Sequence, residues 1–429
     1  MIYKDRIFLV GVHSENTTRD FFQESMEELR RLAETAGAEI IATFIQNLEK
    51  PFTSTYIGSG KIDEISRAAQ KNSVNTLVFN NNLSPSQSRN ISDLSGCNVV
   101  DRTEIILAIF ARHARTKQAK LQVELAQLEY SYTRLKHMWK HLSRIEGGIG
   151  FRGPGEKQLE VDRREIRKKI SFLKQKLANI EKTAVVKRNK RKKLMTISLV
   201  GYTNAGKSTI FNFLTNEHRY IADQLFATLD SLSRYIITDS KEKCVVTDTI
   251  GFIRNLPHKL VASFHSTLLE VIEADLILHV VDISNPYFFD QINAVDQVLE
   301  ELGASNKNTL YVFNKTDKVR GHYYSFLKKK ILHTYPDSIF ISAKTGKGTV
   351  KLKEKIDEFL IRSKKTDILE IPLKMKNLID FIHNNADVIE MKLDKKSMIQ
   401  RMEVKIPRNL LKEIKQQILN FKLKEYINK

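Results

Sequence analysis

The chain is 429 residues long and carries 70 lysines and arginines against 50 aspartates and glutamates, a net charge of +20. The length predicts two to four domains with full hydrophobic cores, and the positive excess predicts a polyanionic partner, either nucleic acid or an acidic membrane surface. No stretch is long and apolar enough to span a bilayer and Met1 to Val12 lack the apolar core of a secretory signal, so a cytoplasmic chain with at most peripheral membrane contact is expected.

Residues 1–103 alternate strand and helix signals. Ile7 to Val12, Ile40 to Ile45, Thr76 to Phe79 and Asn98 to Val100 predict strands; Phe21 to Ala36, Lys61 to Ala69 and Ser84 to Leu94 predict helices, the last opened by a Ser84-Pro85 start. The alternation implies a small parallel sheet covered by helices, a nucleotide-binding-like α/β domain. Gly58 to Lys61, GSGK, lacks phosphate-loop spacing and is expected to be a helix-start turn. Cys97 and Cys244 have no histidine or cysteine at ligand spacing and are expected to be ordinary buried thiols.

Residues 104–193 carry the most regular pattern. Leu121, Leu125, Leu128, Tyr132, Leu135 and Leu142 recur near the heptad rhythm, and so do Ile166, Ile170, Leu173, Leu177 and Ile180, which predicts an antiparallel helical hairpin. The segment between them, Gly147 to Gln158 (GGIGFRGPGEKQ), is too glycine-rich for a helix and is expected to be a loop at the tip. Such a hairpin needs only a few connecting residues, so a long loop carrying Arg152 and Lys157 is expected to touch a partner, with Arg163, Arg164, Arg167, Lys168 and Lys169 extending the basic surface. A second basic cluster, Lys187 to Lys193, is linker, RNA contact or both.

Residues 194–363 return to strand-helix alternation and hold five ordered strings. The first, Gly201, Tyr202, Thr203, Asn204, Ala205, Gly206, Lys207 and Ser208, with Thr209 after it, lies where a strand feeds a helix, as a phosphate loop requires. Its backbone N–H groups and helix N-terminus suit phosphate oxygens, Lys207 reaches the β/γ-phosphates and Ser208 suits Mg²⁺. Phe226, Ala227, Thr228, Leu229 and Asp230 form a loop in which Thr228 suits metal and γ-phosphate. Asp248, Thr249, Ile250 and Gly251 follow, Asp248 toward Mg²⁺ and the Gly251 N–H toward the γ-phosphate. Asn314, Lys315, Thr316 and Asp317 decide for guanine, because the Asp317 carboxylate can accept from the ring N–H and the exocyclic amine, a pair adenine lacks. Ser342, Ala343 and Lys344 complete the base side. The expected fold is a doubly wound, mostly parallel sheet with GTP or GDP at the strand carboxyl ends. Residues 364–429 predict a small α+β domain with no chemical motif.

Phe252 stands where many small GTPases carry the glutamine that orients the attacking water. Either hydrolysis is slow or another group acts. Asn204 occupies the position where potassium-using GTPases carry an asparagine, so it either holds K⁺ as a charge neutraliser or only shapes the loop.

Together with GYTNAGKST and DTIGFI, the strings LSPSQSRN (Leu83 to Asn90), VDRTEIILAIFARHART (Val100 to Thr116), KLQVELAQLEY (Lys120 to Tyr130) and GGIGFRGPGEKQLEVDRR (Gly147 to Arg164) resemble the HflX family of ribosome-associated GTPases. Phe151 and Lys157 depart from expected threonines, and Ser231 from an expected proline. The resemblance implies GTP hydrolysis, binding to the large ribosomal subunit and its rRNA with the hairpin tip toward the peptidyl-transferase region, and separation of the subunits of stalled or idle ribosomes. It also implies ATP hydrolysis through the amino-terminal domain, for which no residue can be named. A monomer is expected. Two other readings stay open: an rRNA-binding module in which nucleotide is mainly structural, and a GTPase on a membrane surface.

Overall fold

The computed structural model describes residues 5–15, 17–145, 154–191, 194–217, 224–254, 265–394 and 397–427. Its first sheet is built from β1 (Arg6–His13), β2 (Glu39–Asn47), β3 (Thr76–Phe79) and β4 (Asn98–Val100), all parallel in the order β2-β1-β3-β4. A sheet covered on both faces needs apolar residues on both sides of its central strand. In β1, Phe8 and Val10 face α2 (Ser59–Asn72) and α3 (Pro85–Ser95), whereas Ile7 and Leu9 face α1 (Arg19–Ala36) and α4 (Arg102–His113). The Ser84-Pro85 start is a full capping box with Gln87, and Gly58 to Lys61 is a helix start in which the Gly58 N–H donates to Gln46 Oε1. Cys97 and Cys244 are both buried.

The helix α4 corrects the expected break after residue 103. Its Ile105, Ile106, Ile109 and Phe110 share one core with Phe22, Leu29 and Leu32 of α1, so this segment completes the first unit, and the hairpin starts at α5 (Lys117–Ile145). The partner helix is α6 (Pro154–Arg191), packed on α5 through Leu121, Leu125, Leu173 and Leu177 with Leu128, Ile170 and Ile180 beside them. Two further expectations are corrected here. Residues 154–158 belong to α6 and not to a tip loop, since proline is tolerated in the first turn of a helix. Residues 187–191 also continue α6 and do not form an irregular linker. Gly147 to Gly153 with Arg152, and Lys192 and Lys193, lie outside the described residues, as do the side chains of Leu135, Leu142 and Lys157.

The central sheet runs β10-β9-β8-β5-β7-β6, from β5 (Met195–Gly201), β6 (Leu232–Ile237), β7 (Lys243–Asp248), β8 (Leu276–Asp282), β9 (Asn308–Asn314) and β10 (Ile339–Phe340). Only β6 is antiparallel, paired to β7 at the edge. This is the doubly wound, mostly parallel fold expected. Helices α7 (Lys207–Thr215) and α11 (Thr349–Ser363) cover one face; α8 (His265–Ile272) and α9 (Phe288–Glu301) cover the other. The sequence predicts a helix near Leu260 to Ile272; α8 forms its described part, and residues 260–264 lie outside the described residues. α10 (Gly321–Thr334) follows β9. The last unit is an antiparallel sheet β11-β13-β12 (Lys364–Pro372, Ile399–Pro407, Asp387–Asp394) under α12 (Lys376–Asn385) and α13 (Arg408–Ile427), the α+β arrangement expected.

The first and central units share a single apolar core. Phe22, Ile106, Ile109 and Phe110 belong to the same cluster as Tyr202, Leu225, Phe226, Leu229, Ile250 and Phe252. The α/β unit therefore rests on the segments that surround the nucleotide site.

Candidate nucleotide site

The phosphate loop starts where β5 ends, and its shape depends on two left-handed residues, Asn204 at φ 61° and Gly206 at φ 98°. At Gly206 a Cβ would lie 2.2 Å from Asn314 Nδ2, so only glycine lets the two loops meet. Asn314 then ties three strings together: its Nδ2 donates to Ala205 O at 2.9 Å, and its Oδ1 accepts from the Ala343 N–H at 2.9 Å.

On the base side, Ser342 Oγ donates to Asp317 Oδ1 at 2.6 Å, and this hydrogen bond is the main reason the carboxyl titrates below the usual aspartate range. An ionised carboxylate is an acceptor only, as two guanine donors require. Lys315 is held by Asp282 at 2.8 Å and the Thr316 N–H by Ile341 O at 3.2 Å; Lys344 is exposed.

On the phosphate side, Lys207 is buried and its Nζ donates to the carbonyls of Gly201 and Tyr202 at 3.1 and 2.8 Å. Burial pushes this amine down to about 8, with Asp248 opposing the shift. Ser208 Oγ donates to Asp248 Oδ2 at 2.7 Å and lies 2.8 Å from Thr228 Oγ1, so the expected metal ligands converge. Burial raises the Asp248 carboxyl, and its Oδ1 is enclosed with no hydrogen-bond partner among the described residues. An all-oxygen set with an orphaned carboxylate oxygen fits a hard cation such as Mg²⁺.

A cavity lined by Thr203, Asn204, Gly206, Lys207, Ser208, Thr209, Phe226, Ala227, Thr228, Thr249 and Gly251 gathers most of the expected phosphate-side residues. Asp248 adjoins it through Ser208, and several of the others are placed elsewhere. Leu229 and Ile250 are buried in the shared core, and the Tyr202 hydroxyl donates to Glu28 Oε2 of α1 at 2.7 Å. Asp230 turns from the nucleotide to the base of the hairpin, accepting from the N–H groups of Arg115 and Thr116 at 3.2 and 3.3 Å and from the Thr116 hydroxyl. Phe252 is fully buried in the shared core; its N–H donates to Gly201 O and its carbonyl accepts from the Thr203 N–H at 2.7 Å. Its ring therefore packs beneath the phosphate loop instead of facing the cavity.

Three cavity residues escape a reading of the sequence: His113, Arg115 and Gln224. His113 and Arg115 lie in the quoted string that ends at Thr116, but nothing in local spacing shows that they fold against a loop more than a hundred positions away. Among the basic hairpin residues, Arg164 is exposed, whereas Arg163 sits over the Tyr132 ring at 5.8 Å and Arg167 Nε donates to the Tyr132 hydroxyl at 2.6 Å. Acids partly balance this face, since Lys169 pairs with Glu124 and Lys174 with Glu129, each at 2.8 Å. The sequence leads one to expect that acids do not balance this run, and these two pairs correct that expectation in part.

Family comparisons agree with this layout. Residues 23–111 match the family described as GTP-binding GTPase N-terminal, 113–191 the GTP-binding GTPase Middle Region, and 196–315 the 50S ribosome-binding GTPase family. GTPase HflX of Caldanaerobacter subterraneus subsp. tengcongensis is 39% identical over 424 residues, covering 97% of this chain and 94% of that one. GTPase HflX of Escherichia coli K12 is 42% identical over 357 residues, 83% of each. The chain belongs to the HflX family of GTPases. Among solved structures, a GTP-binding protein from Sulfolobus solfataricus in complex with GDP is 26% identical, with a TM-score of 0.44, over 83% of this chain and 99% of that one. The protein is a GTPase with a P-loop fold that binds GTP and GDP, and no helix among its described residues is long and apolar enough to cross a membrane.

Proposed function

We propose that this GTPase acts in the cytoplasm as a monomer that binds the large ribosomal subunit through the α5–α6 hairpin and its tip, and uses GTP turnover to separate the subunits of stalled or idle ribosomes. One observation carries the reading. The base of the hairpin is hydrogen-bonded to Asp230, in the same short segment as Thr228, so nucleotide-dependent ordering of that segment reaches a long basic arm directly. The net charge of +20 suits rRNA, whose phosphates supply most of a basic protein's affinity. The match of residues 196–315 to a family described as 50S ribosome-binding supports the same partner.

In this reading Ser208, Thr228 and Asp248 would hold Mg²⁺, which would supply positive charge to offset that of the phosphates. Lys207 binds those phosphates, the Gly251 N–H orients the γ-phosphate, and Asp317 selects guanine.

Purified large subunits are expected to raise GTP turnover well above the intrinsic rate. Deleting Gly147 to Gly155 is expected to abolish subunit separation, measured by light scattering, while GDP affinity is retained. Normal separation by the deletion variant would sink the assignment of the tip. Arg152, Lys157, Arg163 and Arg164 are proposed as phosphate contacts, and each one lost is expected to reduce the salt slope of ribosome binding by roughly one.

Asn204 lines the phosphate cavity and is proposed to hold K⁺ beside the phosphates. Intrinsic turnover is expected to rise when sodium is replaced by potassium at constant ionic strength, and Asn204→Ala to erase the difference while GTP still binds. Equal wild-type rates in both salts would dismiss the cation.

A further inference from the structure

We propose that Arg115, at the junction between α4 and the hairpin, is a catalytic residue that places its guanidinium on the γ-phosphate of GTP and on the oxygen bridging it to the β-phosphate. The proposal deepens the assignment of the nucleotide site and depends on GTP binding there.

The reaction leaves a defined gap. Water attacks the γ-phosphorus, a new O–P bond forms and the bond from phosphorus to the bridging oxygen breaks. The electron pair stays on the β-phosphate of GDP, and the water proton leaves with the released phosphate. Negative charge grows on the bridging oxygen as that bond lengthens, and fixed positive groups aimed there lower the barrier. The Phe252 side chain has no polar atom and is buried away from the cavity, and Thr249 Oγ1 donates to Leu199 O at 2.6 Å. The only guanidinium lining the phosphate cavity among the described residues belongs to Arg115.

Backbone contacts hold Arg115 there and leave its side chain available. Its N–H donates to Asp230 Oδ2 at 3.2 Å; just before it, His113 Nδ1 is 2.8 Å from Phe226 O, and Phe110 packs edge-on against Phe226 at 4.6 Å between centroids. The junction thus grips the segment on both sides of Thr228. Among the described residues the guanidinium has no ion pair or hydrogen bond, in contrast to Arg102, Arg134 and Arg254, which are all paired. An exposed arginine pinned only by its main chain at the rim of a phosphate cavity can close on a phosphate without breaking another contact. Because α5 begins at Lys117, displacement of the hairpin would carry Arg115 with it, which links engagement of the arm to the rate of hydrolysis.

The test uses the full chain with Arg115→Ala and Arg115→Lys. Single-turnover GTP hydrolysis at saturating protein is expected to fall at least about a hundredfold in Arg115→Ala, the scale of losing one well-placed charge-stabilising donor. GDP affinity, followed with a fluorescent analogue, is expected to change less than about threefold, since the lost contact forms with the transferring phosphate. Capture of GDP with aluminium fluoride is expected to be lost, and millimolar guanidinium to restore part of the rate in Arg115→Ala alone. A purely structural role for the arginine would give no such rescue. Wild-type turnover by Arg115→Ala, or a rate loss with no rescue and normal aluminium fluoride capture, would overturn the proposal. Loss of GDP binding in the wild-type chain would instead remove the nucleotide-site assignment beneath it.

Discussion

Asp317→Asn is expected to weaken GTP binding by at least about a thousandfold and to create measurable affinity for xanthosine triphosphate. The size follows from leaving buried donors unmatched, since sites built to hydrogen-bond a polar edge reject a mismatched one by about 10⁴ to 10⁵. The direction follows from Ser342. Its hydroxyl donates to Asp317 Oδ1, so in the variant the amide oxygen keeps that hydrogen bond and the NH₂ group turns toward the base. Two donors then face the guanine ring N–H and amine, whereas the xanthine 2-oxo group can accept. Ser342→Ala in the same background removes the orienting hydroxyl and is expected to blur the preference. Titration with fluorescent guanine, xanthine and adenine nucleotides reads all three arms. Undiminished guanine selectivity in Asp317→Asn would place the base elsewhere.

Residues whose task depends on local backbone geometry are legible in the sequence. Gly206 and Lys207 announce a strand-to-helix turn, and NKTD and SAK end successive strands of one parallel sheet, so topology alone brings them to one edge. The cavity accordingly gathers Thr203, Asn204, Lys207, Ser208, Thr228 and Gly251. Residues that work through distant contacts are not legible. Asp230 reads as part of a nucleotide loop but binds the base of the hairpin, and Arg115, which no local signal singles out, lines the phosphate cavity. Both depend on a docking between units that no local period encodes.

The elements missed have similar physical causes. The helix α4 is buried on several sides by α1, the first sheet and the Phe226 segment, which removes the one-sided stripe that marks a helix of its own. In α10 the large apolar residues Tyr323 and Phe326 are exposed while Leu327 and Ile331 are buried, so its apolar pattern does not mark one face. The Lys187 to Arg191 run reads as linker because like charges disfavour a helix, but it extends a helix already propagating from Pro154, where adding residues needs no new nucleation.

Arg102→Met is expected to destabilise the chain by about 3–5 kcal/mol, the usual cost of stranding one member of a buried ion pair. Arg102 is 3% exposed, ion-paired with Glu28 and hydrogen-bonded through Nη1 to Asn80 Oδ1 at 3.0 Å. Burial lowers its guanidinium to about 10, still well above neutral pH, so the group is charged where the protein works. Glu28 in turn accepts from the Tyr202 hydroxyl, and that hydroxyl accepts from the Arg254 N–H at 2.8 Å, so one carboxylate joins the α/β unit to the phosphate loop and to the segment after Phe252. Without Arg102 the Glu28 charge stays enclosed with one hydroxyl for company. Calorimetric unfolding of Arg102→Met is expected to show a lowered transition for the joined units, with the separate C-terminal core of Leu369, Ile371 and Val404 little affected. The double variant Arg102→Met with Glu28→Gln removes the stranded charge and is expected to recover most of the loss, because the amide oxygen that replaces the carboxylate would still accept from the Tyr202 hydroxyl. Equal destabilisation in the single and double variants would mean that packing of the arginine stem, not its charge, holds the two units together.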